Sequence, residues 1–157
     1  MDSKNRERFI GIARYSVKTL EHIIKTASPK DLTTLRDGEE GWTVLEVLCH
    51  LRDFDEIFMA RATSMIEQDN PHFAAYDHEA MVAERRYSEQ NPQEVLESLS
   101  QHRATFLAFF EGLTEEQWQR FGTHPERGHF TLFDSVGQVG FHDSNHIEQI
   151  TRILARY

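Results

Sequence analysis

Apolar residues return at spacings of three and four through four long stretches of this 157-residue chain. That is the period of a helix burying one face. The first stretch carries Phe9, Ile12, Ala13, Ser16, Leu20, Ile23, Ile24 and Ala27. The second opens at Thr43, where Thr43-x-x-Glu46 reads as a capping box, and runs to Gln68 with the stripe Val47, Leu51, Phe54, Phe58, Ala62 and Met65. The third opens at Asn91-Pro92, an N-cap followed by proline at the first helical position. Its inner face is Val95, Leu99, Phe106, Phe109 and Leu113. The fourth opens near Thr131, with Asp134 placed to favour a helix N-terminus, and carries Leu132, Val136, Val139, Ile147, Ile150 and Leu154. No stretch alternates with a period of two for long enough to predict a strand.

Four amphipathic helices of roughly 20–26 residues pack most simply as an all-α four-helix bundle. The connection from Asn70 to Asn91 is long for a bundle loop and suits a crossover, so the expected order is up-down-down-up. Two short extra helices are expected in the connectors, one within 74–87 and one within 114–118. The chain reads as a single domain over residues 1–157.

Charge narrows the function classes. Seventeen basic side chains stand against 26 acidic ones, a formal balance of −9. Nucleic-acid affinity rests on clustered Lys and Arg, so no nucleic-acid partner is expected. The longest apolar run, Phe106 to Phe110, is far short of the ~18 residues of a membrane span, and no membrane partner is expected either. The opening MDSKNRERF offers no apolar signal stretch, and Cys49 is the one cysteine. Both fit a reducing cytoplasm.

Nine histidines are the unusual feature, because imidazole is the commonest metal ligand. His142 and His146 stand four apart in the fourth stretch, so both rings leave one helix face a turn apart, a spacing that offers two imidazoles to one metal. Stepping ~100° per residue places them at the margin of the apolar stripe. His50 takes the matching position on the second stretch, either as a core histidine or as the third imidazole of an open metal site. Asp143 falls in the middle of the stripe, where a lone carboxylate is costly. It therefore either accepts from a ligating imidazole, fixing its tautomer, or forms a salt bridge with Arg103.

The remaining histidines carry less. His22 points away from its stripe, His72 and His78 lie in the long connector, and His124 and His129 lie in a loop before the last helix. His102 reads as a core or hydrogen-bonded residue, Cys49 as a small core residue, and Glu46 and Asp53 as surface groups. Phosphate-binding loops, GxSxG and paired Glu-x-x-His motifs are absent, and His142-Asp143-Ser144-Asn145-His146 has Asp where a zinc protease carries its Glu base.

Two segments bear a resemblance. Gly41-Trp42-Thr43 with Val47-Leu48-Cys49-His50-Leu51, and Thr131-Leu132 through Phe141-His142-Asp143-Ser144-Asn145-His146-Ile147-Glu148-Gln149-Ile150, resemble the second and closing helices of the DinB/YfiT-like superfamily. The resemblance covers nearly the whole chain. It implies an up-down-down-up bundle, often a homodimer, holding one divalent ion (zinc, nickel, iron or manganese) on His50, His142 and His146. Characterised members of that superfamily include transferases using bacillithiol, mycothiol or glutathione and a mycothiol-dependent isomerase. The expectation is a metal-dependent enzyme that transfers a low-molecular-weight thiol to an electrophilic small molecule. The alternatives are a metal-dependent hydrolase, a metal-binding stress-related protein without turnover, and a metal-free scaffold.

Overall fold

A computed structural model describes residues 3–155. The helices α1 (Ser3–Thr26), α2 (Pro29–Thr34), α3 (Val44–Glu67) and α4 (His78–Glu84) are followed by a 3₁₀ turn at Tyr87–Glu89. The chain continues through α5 (Pro92–Glu111), α6 (Glu115–Trp118), strands β1 (Phe121–His124) and β2 (Gly128–Thr131), and α7 (Leu132–Ala155).

The local signals act where the sequence placed them. Thr43 and Glu46 close a reciprocal capping box at the head of α3, and Asn91 accepts from the backbone N–H of Gln93 and Glu94 ahead of Pro92. Thr114 and Gln117 form a second capping box on α6. At the head of α7, the Asp134 carboxylate accepts from the Thr131 backbone N–H at 2.8 Å, while Thr131 Oγ1 accepts in return from the Asp134 N–H at 3.2 Å. Each such pair satisfies two N–H groups that the first helical turn leaves without partners.

Contacts between the four long helices fix their directions. On α1 and α5, Ala13 meets Arg103 and Glu21 meets Ser100, so the two run antiparallel. On α1 and α7, Phe9 meets Phe133 and Ser16 meets Asp143, so these are parallel. On α3 and α7, His50 meets His146 and Phe54 meets His142, an antiparallel pair. The outcome is the expected up-down-down-up bundle, with α1 and α3 across a diagonal. In α1, Ile10, Ala13, Val17, Leu20 and Ile24 step inward by threes and fours. On α5 the buried line runs Val95, Leu99, Arg103, Phe106, Phe110, so Phe110 takes the place expected for Phe109.

Two expectations need correction. Residues 121–131 form an antiparallel hairpin rather than a loop, with Phe121 opposite Thr131 and His124 opposite Gly128. Four-residue strands are too short for alternation to stand out, and Gly128, at φ +73°, makes the turn possible. The hairpin is tied to the long connector by Phe73 N–H to Thr123 O (3.0 Å) and Thr123 N–H to Pro71 O (2.8 Å). Secondly, α3 is buried all round its first two turns, Val44 through Leu51, because α2, α4 and the 3₁₀ turn cover its outer side. Glu46 and Asp53 are therefore buried, not surface groups. Glu46 serves the capping box, and Asp53 accepts from the Tyr87 hydroxyl and from Arg52 and Arg85.

The apolar core falls into two clusters, one around Leu20, Leu48, Leu99 and Ile150, the other around Phe58, Phe106, Phe130 and Val136. Between them lies a buried ionic layer to which all four long helices contribute. The Arg103 guanidinium on α5, fully buried, bonds Asp55 of α3 through Nε and Nη2 (both 2.8 Å). It also bonds Asp143 of α7 through Nη1 (2.6 Å) and Nη2 (3.1 Å), and the Ala13 carbonyl of α1 at 2.6 Å. Ser16 of α1 donates its hydroxyl to Asp143. Two carboxylates share one cation here, and burial pushes the Asp55 carboxyl up to about 6 despite its pair of bonds.

Candidate metal centre

The centre grows from the antiparallel packing of α3 on α7. His50 sits in the second turn of α3, and His142 and His146 lie one turn apart on the facing side of α7. Their Nε2 atoms converge. His142 Nε2 lies 2.8 Å from that of His50 and 3.2 Å from that of His146. One ligand atom from each ring falls within 4.8 Å of the others.

Burial lowers the proton affinity of all three imidazoles. Desolvation, joined by repulsion from His146 and His78, brings His50 down to about 3. The same causes, desolvation first, lower His142, and desolvation lowers His146. All three rings are thus neutral at pH 7 and can each present a lone pair.

The ring orientations are set from behind. His146 Nδ1 donates to Gln149 Oε1 at 2.7 Å, which leaves its Nε2 lone pair facing the cluster. Gln149 is in turn held, because its amide donates to the Asp37 carboxylate at 2.9 Å while Arg152 grips the same carboxylate. That carboxylate lies below its ordinary range, chiefly through the Arg152 hydrogen bond. The His142 ring stacks on Phe54, with centroids 3.5 Å apart and planes 9° apart.

The donor set fits a divalent ion. With each N–H on Nδ1, as Gln149 holds it in His146, three Nε2 lone pairs would face one another, a conflict that a shared cation removes. A four-coordinate zinc at about 2.0–2.1 Å from each nitrogen would set the nitrogens about 3.3 Å apart, near the 2.8 and 3.2 Å that separate His142 from His50 and His146. His142 Nδ1 is buried with no acceptor.

Asp143 does not orient an imidazole: its carboxylate is taken up by Arg103 and Ser16. The orienting part falls to Gln149, which sequence reasoning did not single out. Its position three residues after His146, on the same helix face, was the available signal. His78 was also passed over, yet the first turn of α4 brings its ring to 5.1 Å from that of His50. Of the others, His102 lies 3.8 Å from Glu56, His22 is exposed, and Cys49 is buried in the core with its thiol pushed up to about 12 by desolvation.

The site opens on a cavity of ≈ 320 Å³ whose wall includes His50, His142, Phe54, Phe58, Arg61 and Tyr76. Fold and donors together define a four-helix bundle in which three histidines from two antiparallel helices are grouped closely enough that they could hold one metal ion. Residues 14–150 match the family model of the DinB superfamily, and the chain belongs to that family.

YfiT of Bacillus subtilis (strain 168), which bears the provisional name of a metal-dependent hydrolase, is 25% identical over 99% of this chain and 88% of its own length. Its solved structure superposes with a TM-score of 0.89 over 99% of this chain and 89% of that one. A similarly named relative from Oceanobacillus iheyensis is 28% identical over 79% of this chain and 70% of its own. A mycothiol-dependent maleylpyruvate isomerase shares the fold at a TM-score of 0.74, with 12% identity over 92% of this chain and 60% of that one. Among the described residues no helix is long and apolar enough to cross a membrane.

Proposed function

We propose that this protein is a metal-dependent enzyme that transfers a low-molecular-weight thiol to an electrophilic small molecule, with His50, His142 and His146 as the metal ligands. The observation that carries the reading is the convergence of three imidazoles, two of which, His50 and His142, line a partly apolar cavity. Three protein ligands leave coordination positions for a reactant, the pattern of catalytic rather than structural sites. A divalent ion bound there would hold a thiol cosubstrate as its thiolate at neutral pH. Zinc, nickel, iron(II) and manganese are the candidates, and imidazole donors suit the first three most directly.

The chain's own residues supply the rest. Gln149 holds His146 in the tautomer with Nε2 free, and Phe54 fixes the plane of the His142 ring. Phe54, Phe58 and Phe130 give the reactant an apolar wall beside the histidines. The thiol-dependent neighbour of the same fold adds support for a thiol cosubstrate. Relatives named as hydrolases favour a second reading, in which the same centre activates water. The expected homodimer belongs to the proposal too, with Tyr15 and Phe141, 65% and 64% exposed, as its apolar contacts. A cytoplasmic location is likewise part of this reading.

The test is turnover of a generic electrophile, 1-chloro-2,4-dinitrobenzene, by metal-loaded protein with glutathione, bacillithiol or mycothiol. Thiol-dependent turnover that disappears in the His50→Ala/His142→Ala/His146→Ala variant supports transfer. Thiol-independent hydrolysis of an ester would replace it with the hydrolase reading. The absence of both would overturn the assignment as an enzyme.

A further inference from the structure

The cavity has a second chemical end. Arg61, on α3, stands eleven residues after His50, three helical turns on and on nearly the same face. It lines the same cavity. Its residue exposure is 8%, and among the described residues its hydrogen-bond partners are His124 and the Ala74 carbonyl, with no carboxylate within ion-pairing distance. A buried guanidinium without an acidic partner is an expensive feature for a protein to keep.

The immediate surroundings are rich in donors and poor in acceptors. Arg61 Nη2 donates to the Ala74 carbonyl at 3.0 Å, and Nε has no acceptor. Nη1 faces His124 Nε2 at 3.3 Å, while His124 Nδ1 accepts from the Glu126 backbone N–H at 3.2 Å. A neutral imidazole accepts at only one nitrogen. If Nδ1 accepts, Nε2–H and the Arg61 Nη1–H are two donors directed at one space. Arg127 lines the same end, and its guanidinium reaches the neutral amide of Gln138 at 2.5 Å. The one acidic residue there is Glu126, exposed on the hairpin turn.

The faces of the Arg61 guanidinium are covered. Its carbon lies 5.2 Å from the ring centres of Phe58 and of Tyr76, and 5.5 Å from that of Phe73. Rings stacked over a planar cation leave its edge for a ligand, and a planar two-oxygen anion is what matches such an edge. Between this end and the histidines, the wall is made by Phe54 and Phe58, stacked 4.3 Å apart.

We propose that the cavity selects carboxylate-bearing organic molecules, with Arg61 as the anion-binding residue, His124 and Arg127 assisting it, and the Phe54–Phe58 wall packing the apolar body between the carboxylate and the three-histidine centre. This names the substrate class of the reaction proposed above and rests on that reading for its catalytic meaning. The binding itself does not need the metal. Arg61 is a specificity-determining residue, and nothing in its position three turns from His50 gives it a part in holding the ion.

The test is calorimetric titration with 4-phenylbutanoate, with its uncharged analogue 4-phenylbutanamide and with phenyl phosphate. The proteins compared are wild type, Arg61→Gln, Arg127→Gln and the His50→Ala/His142→Ala/His146→Ala variant. The acid is expected to bind wild type at least about tenfold more tightly than the amide, a preference lost in Arg61→Gln and weakened in Arg127→Gln. The triple histidine variant should keep the preference, so that a failure of the metal assignment and a failure of the anion site give different patterns. Circular dichroism and thermal melting of each variant identify any that does not fold. Should Arg61→Gln fail to fold, Arg127→Gln carries the test. Equal affinity for acid and amide, an acid preference unchanged in a folded Arg61→Gln, or tighter binding of phenyl phosphate than of the carboxylate would each overturn the proposal.

Discussion

Arg103 offers the sharpest stability prediction. Substitution by Met keeps most of the side-chain volume and removes the guanidinium that bonds Asp55, Asp143, Ser16 and the Ala13 carbonyl. It leaves two carboxylates, each about 1% exposed, with no cation between them. Breaking one partner out of a buried ion pair costs about 3–5 kcal/mol, a large share of the ~5–15 kcal/mol that holds a domain together. With a urea m-value of about 2 kcal/mol/M, the unfolding midpoint should fall by about 2 M. The assay is equilibrium urea unfolding of metal-free protein, so that the neighbouring His142 does not add a metal contribution.

The charge argument has its own signature. Asp55 is already raised to about 6, above its unfolded value of 3.8, so the folded state binds more protons between those values. Stability from this group therefore grows as pH falls through that window. Loss of Arg103 raises the Asp55 carboxyl further, so Arg103→Met should lose less stability than wild type on going from pH 7 to pH 5. The triple variant Arg103→Met/Asp55→Leu/Asp143→Leu, with no charge left to bury, should recover most of the loss. A midpoint shift under about 0.5 M in Arg103→Met, or a triple variant no more stable than the single one, would refute the reasoning.

Three further outcomes follow from the same structure. Gln149→Leu removes the acceptor that orients His146, and metal affinity by competition with a chelator should fall about 10–100-fold while the fold persists; unchanged affinity would remove Gln149 from the site. In the metal-free protein the unfolded histidines take up protons below about 6.5 while the buried rings do not, so acidification from pH 7 to pH 5 costs stability. His50 alone, lowered from 6.5 to about 3, contributes about 2 kcal/mol of that loss, against about 1 kcal/mol of opposite sign from Asp55; urea midpoints that rise at pH 5 would contradict it. A Cβ at Gly122 would sit 2.4 Å from Phe73 Cζ and 2.8 Å from the Pro71 carbonyl oxygen. Gly122→Ala should therefore cost about 2 kcal/mol by thermal melting, and a neutral result would mean that the connector does not pack on the hairpin as described.

The bundle was legible because its signals are local and periodic. Thr43, Asn91 and Thr131 mark helix starts through hydrogen bonds within four residues, and the 3.6-residue period marks the inward faces. Spacing on one helix likewise announced His142 and His146, and the wheel position of His50 matched them. What escaped depends on what covers a face. The wheel placed Glu46 and Asp53 outside the α3 stripe, correctly, but burial there comes from α2, α4 and the 3₁₀ turn, which no α3 pattern encodes. Asp143 was recognised as costly in its stripe, and Arg103 was named as one of two partners. The choice between arginine and imidazole depended on which side chains the four helices bring together in the bundle interior, which no local pattern encodes. His78 reaches the cavity only through the path of the long connector, and Arg61, although on the His50 face of α3, is enclosed by the connector and the hairpin, where no periodicity exists to read.

The central claim is a metal held by His50, His142 and His146. It is tested most directly by elemental analysis of protein purified without a histidine tag or chelator, beside the variant in which all three are alanine. The account predicts close to one divalent ion per chain in the wild type and none in a variant that keeps its helical circular dichroism. Equal metal content in the two, or a wild type that takes up no zinc, nickel, iron or manganese on reconstitution, would contradict it.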